Sequence, residues 1–87
     1  MWESFTKLIA AGVAWAIADW DRRLGRQGVP DEDAFEPFIL SMAERGRSLS
    51  AADHLVAVQD AQRASRQVAR FFDRHDLWLT PTLGAPP

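Results

Sequence analysis

A serine and a lysine one helical turn apart, Ser4 and Lys7, are the nearest approach in this sequence to a nucleophile and its base, and Lys7 is the only lysine. A serine hydroxyl attacks only when a base takes its proton and aimed donors hold the oxyanion that forms. The chain has no adjacent glycines and no Gly-Ser pair to shape such a cradle, so neither residue is expected to be catalytic. The histidines, His54 and His75, stand twenty-one residues apart. Neither has a histidine or carboxylate at the i, i+4 spacing of a helical metal pair, and Asp76 adjoins His75 without facing it. No metal and no cofactor are expected. The absence of cysteine removes thiolate catalysis, disulfides and cysteine-based zinc sites.

Four arginines, Arg63, Arg66, Arg70 and Arg74, recur at three, four and four, which on a helix places them within roughly 80° of one another. Asp60 and Asp73 temper that strip, and no aromatic is interleaved for base stacking. It reads as a solvated face. Twelve acids and ten bases are interspersed for a net charge of −2, which offers no bulk attraction to nucleic acid or to an anionic membrane. Neither is expected as a partner.

What must position these side chains is helical. The chain's 87 residues, 47% of them apolar and 25% charged, suit one soluble segment, and a domain of this size buries only about 60% of its unfolded surface. From Trp2 to Leu24, the residues Phe5, Ile9, Val13, Ile17, Trp20 and Leu24 repeat at helical spacing within an arc of roughly 120°, with Leu8 and Trp15 as a second ridge. Two ridges on one helix predict a second contact, with another layer or another chain. Within this helix Leu8 to Ala18 imitates a secretory signal, ending Ala16-Ile17-Ala18. Glu3 cancels the charge of Lys7 and the apolar spacing continues to Leu24, so a cytoplasmic protein is expected, and no run is long enough to span a bilayer.

Gly25, Gly28 and Pro30 read as a stop and turn. Asp31, Glu32 and Asp33 supply negative charge for a helix start, the chain turns through about Phe35, and a second helix runs from about Pro37 to Arg45, closed by Gly46. Ser50 caps a third helix, about Ala51 to Arg74, with Asp53 in its first turn. Its apolar face, Leu55, Val58, Ala61, Ser65, Val68 and Phe72, is expected to pack on the first two helices. Leu77, Trp78 and Leu79 then read as a short buried strand, or as an extended tail, before a proline-rich end. The fold class is mainly α, about three helices with that strand or tail, in a single segment, residues 1–87.

The carboxy end is more specific. AADHLVAVQDAQRASRQVARFFDRHDLWLTPTLGAPP, residues 51–87, resembles the carboxy-terminal region of amidases of the amidase signature family, in its long helix, its apolar strand and its Thr-Pro-Thr with a proline-rich loop. The lead-in AERGRSLSAADHL, residues 43–55, also looks like the family's. The similarity is firm over residues 50–87 and looser before them. It implies an α/β parent in which residues 77–80 form a strand of the central sheet, and in which Trp78, Thr82 and Leu83 line the substrate approach. The family hydrolyses carboxamides with two serines and a lysine set near a Gly/Ser-rich motif that this chain lacks. The resemblance therefore implies a piece of an amidase, inactive alone. The alternative from the residues themselves is a small helical module for self-association or protein interaction. Either way a homo-oligomer, or docking on the remainder of an amidase, is expected.

Overall fold

The periodicity from Trp2 to Leu24 is realised in full: helix α1 spans Trp2–Leu24 in a computed structural model that describes residues 1–26 and 34–87. Gly25 closes it in the left-handed conformation, φ 65° and ψ 30°, where glycine has no steric penalty. Gly28, Pro30 and the acids Asp31, Glu32 and Asp33 lie outside the described residues.

Helix α2 spans Pro37–Ser48, with the proline in its first turn, where a missing N–H removes no helical hydrogen bond. The expected stop at Gly46 is corrected, because the helix passes through that glycine and ends at Leu49, whose backbone is extended. Gly46 is a packing residue instead. A Cβ built on it would run into the Ala10 carbonyl and lie 2.8 Å from the Ala14 Cβ, so only glycine lets the two helix backbones come this close.

Helix α3 spans Ala51–Ala69 and tightens into a turn of 3-10 helix over Arg70–Asp73. Its start is a complete capping box. The Asp53 amide donates to Ser50 Oγ at 3.0 Å, and the Ser50 amide donates to Asp53 Oδ2 at 2.9 Å. Replacing Ser50 with alanine is expected to cost about 1 kcal/mol, read as a lower thermal midpoint by circular dichroism. The hydrogen bonds donated by the Ser50 backbone, then by its hydroxyl, hold the Asp53 carboxyl below its ordinary value of 3.8, with Lys7 adding attraction. A lowered carboxyl pKa stabilises the fold above the unfolded value, and that contribution disappears as pH falls through the folded one. Helicity is therefore expected to decline below about pH 4, and to decline less in Ser50→Ala, which has already lost the box.

The three helices do not close into a bundle. The Arg26 guanidinium stands 6.0 Å from the Phe35 ring and Gly46 lies against Ala10, so α2 runs back along the second half of α1. Ser4 reaches Asp60, and His54 lies beside Leu8, Ala11, Gly12 and Trp15, so α3 runs back along the first half. Among the described residues α3 packs on α1 and not on α2, which corrects the expectation that it touches both. The described core is correspondingly thin: Ala10, Ile17, Ala43 and Ala57 are its buried apolar residues. The radius of gyration is 17.3 Å, with a long axis of 54 Å, against about 12 Å for a compact chain of this length.

The faces that meet follow the apolar periodicity only in part: of the α1 stripe, Ile17 is buried and Val13 half-buried. On α1 the buried positions are Ser4, Ala10 and Ile17, while Phe5, Ile9, Trp20 and Leu24 of the main stripe are exposed. On α3 the buried residue is Ala57, and Leu55 and Val68 are exposed, as is Phe72 in the 3-10 turn that follows. The physical reason is separation: helices approach closely along rows of small side chains, and bulky ones are left beside the contact. After Asp73 the tail has no regular secondary structure. Of the two expected forms, strand or extended tail, it takes the second.

Candidate functional site

Each group singled out for chemistry is committed elsewhere or stands apart. Ser4 Oγ donates to Asp60 Oδ2 at 2.7 Å, across the α1–α3 seam. Lys7 Nζ is 3.1 Å from Glu3 Oε1, a surface i, i+4 pair. The serine thus ties two helices together and the lysine belongs to a different contact. Asp60 is shared, since Arg63 approaches its other oxygen at 3.6 Å. The Ser4–Asp60 bond joins residues 56 positions apart, and the sequence reading valued Asp60 only as a counter-charge to the arginines.

His54 and His75 are not brought together. His54 borders a cleft of about 440 Å³ with Leu8, Ala11, Gly12 and Trp15, and its Nδ1 is buried without a protein partner. His75 stacks on Phe71, ring centroids 4.3 Å apart. Among the described residues no three metal-ligating side chains gather. The arginine strip is shorter than its spacing implies. Arg70 opens the 3-10 turn and Arg74 follows it in non-helical backbone, φ −124°, so the regular α-helical row holds Arg63 and Arg66.

Of the residues that the resemblance places near a substrate approach, Trp78 folds back on Phe71, with centroids 4.9 Å apart. Phe71 in turn meets Phe72 edge-on at 5.3 Å. Thr82 and Leu83 are exposed.

What the helices do build is an apolar face. A groove of about 590 Å³ runs between α1 and α2, lined by Trp2, Phe5, Ile9 and Val13 on one side and Phe38, Ile39 and Met42 on the other. Glu3 and Arg45 add one charge of each sign. A second apolar hollow, at Met1, Val68 and Phe72, lies where α3 overruns the start of α1. In total the chain exposes 7290 Å², whereas a compact monomer of 9.8 kDa exposes about 5,200 Å². The difference, about 2,100 Å², is surface that a globular monomer of this mass would have buried. No helix among the described residues is long and apolar enough to cross a membrane.

Comparison of the chain with protein-family models, with curated proteins and with solved structures finds no match.

Proposed function

We propose that this chain is a helical docking module, which contributes apolar faces to a larger assembly and performs no hydrolysis by itself. The observation that carries the reading is the surface: 7290 Å² exposed, about 2,100 Å² beyond a compact monomer, with large aromatic and aliphatic side chains open along α1 and α2, on α3 and in the tail. Large apolar side chains left open along the α1–α2 groove, Trp2 at 78% and Phe38 at 70% exposed, mark a surface that is covered in use. The groups that could have argued for chemistry are engaged structurally, Ser4 by Asp60 and Lys7 by Glu3.

A more specific reading is that the assembly is an amidase of the signature type, with this chain as its carboxy-terminal part. The observation that favours it is the tail. Leu77 and Leu79 are 84% and 97% exposed, in backbone that pairs with nothing, the state of an apolar strand without its sheet. In that setting the serines, the lysine and the oxyanion donors come from the rest of the enzyme.

Two measurements test the proposal. The purified chain is expected to release no ammonia from simple carboxamides beyond the uncatalysed rate, and hydrolysis that a serine-directed reagent abolishes would overturn it. Diluted to nanomolar concentration, the chain is expected to bind an apolar fluorescent dye strongly. A dilute chain that binds no dye has no face to offer, and the docking reading fails.

A further inference from the structure

We infer that the α1–α2 face pairs with the same face of a second copy of this chain, giving a two-fold, four-helix dimer. The inference rests on the docking reading and names its occupant.

Area comes first. The six large apolar residues of this side, Trp2, Phe5, Ile9, Trp20, Leu24 and Phe38, are all exposed, Trp2 by 78% and Phe38 by 70%. At roughly 200 Å² per aromatic side chain, the exposed parts of its four aromatics alone come to about 500 Å². With Ile9 and Leu24, 43% and 58% exposed, the face comes to about 650–700 Å², inside the roughly 600–1,000 Å² that each partner contributes to a standard interface. A single monomer's largest apolar patch is usually about 300–600 Å². The face is therefore large enough for a specific dimer and above what a monomer usually leaves open.

Self-complementarity follows from its chemistry. A two-fold contact sets a patch against itself, so any excess of one charge sign would repel its copy. The groove carries one acid, Glu3, and one base, Arg45, among otherwise neutral lining residues, so the same-face contact brings no net like charge together. Its shape is also suitable. Two antiparallel helices with an open apolar groove are half of a four-helix bundle, and a second pair completes the core that one chain lacks. The bulky stripe of α1, left aside when small residues brought the helices together, then becomes the interior of the dimer.

The test is the mass of the full chain by light scattering across a dilution series, with three variants. The wild type is expected to run at twice 9.8 kDa at high micromolar concentration, and its tryptophan emission to shift to the blue as dilution is reversed. Phe38→Asp and Trp2→Glu are expected to raise the dissociation constant at least tenfold, the effect of losing one central aromatic anchor, with monomer helicity unchanged. Both sites are solvent-facing in the monomer, and an acid at the start of α1 suits the helix dipole. Leu79→Asp, in the tail, is expected to remain dimeric. A wild-type monomer that binds apolar dye overturns the second copy as occupant and leaves the docking reading standing. A monomer that binds none overturns both. A dimer that survives Phe38→Asp and Trp2→Glu but is lost in Leu79→Asp overturns the α1–α2 face as the seam.

Discussion

Gly46→Ala is expected to destabilise the chain by about 2 kcal/mol, while the same change at Gly12 is expected to stabilise it by up to about 1 kcal/mol. Both glycines lie inside helices, so propensity alone favours alanine at each by roughly 1 kcal/mol. Their surroundings decide the sign. A Cβ on Gly12 would meet nothing within 4 Å, whereas one on Gly46 would lie 2.6 Å from the Ala10 carbonyl carbon and closer still to its oxygen. That obstacle is backbone and cannot rotate away, so α2 must lift off α1 along its length. Overpacking of this kind costs about 1–3 kcal/mol, and with the upper end offset by propensity about 2 kcal/mol of loss remains. In a domain of this size about 1 kcal/mol moves the thermal midpoint by 4–8 °C. A thermal melt followed by circular dichroism should therefore show Gly46→Ala falling by about 10 °C and Gly12→Ala rising by roughly half as much. Two midpoints that rise together would mean α2 does not sit where the Ala10 contact puts it.

The same glycine shows where reading the sequence succeeded and where it could not. The ends of α1 and the start of α3 are set by local chemistry, a left-handed Gly25 and the Ser50–Asp53 capping box, and local chemistry is visible in a short window. Gly46 fits either of two local roles, a helix stop or a close approach, and the difference lies in Ala10, thirty-six positions away. Contacts at that range leave no spacing rule to read. The Ser4–Asp60 bond is the same case, with an aspartate that looked like a neighbour of arginines serving a different helix. The tail was legible only as a choice, because whether Leu77 to Leu79 form a strand depends on a partner strand that these helices do not provide.

The apolar faces are the more instructive miss. Periodicity weighs hydrophobicity, and by that measure α3 should turn Leu55, Val58 and Val68 inward. Packing weighs distance of approach as well. Small residues, Ala10, Ala43 and Ala57 with Ser4, let the helices come together, and most of the heavier residues, Ile17 excepted, are rotated outward. Hydrophobic residues then serve two purposes in one helix: small ones close the chain on itself, and large ones stay available to something else.

That division can be tested on α3, where the two rules name different residues. Ala57 is 1% exposed and Leu55 is 61% exposed. Ala57→Glu forces a long, ionised side chain into the closely packed α1–α3 seam, where overpacking and loss of solvation together cost several kcal/mol. Little else holds the two helices, chiefly the Ser4–Asp60 hydrogen bond at 2.7 Å, so the expected result is release of α3 as a unit, at a loss of about 3 kcal/mol or more. Leu55→Glu exchanges one exposed side chain for another and is expected to stay within about 0.5 kcal/mol of wild type. Amide hydrogen exchange reads the difference directly: α3 amides should lose protection in Ala57→Glu while those of α1 and α2 keep theirs, and the Leu55 variant should match wild type. Because Ala57 lies off the α1–α2 face, Ala57→Glu should also leave the dimer mass intact. Were Leu55→Glu the damaging change and Ala57→Glu the silent one, the periodic face would be the true seam of α3, and the small-residue rule would fail for this helix.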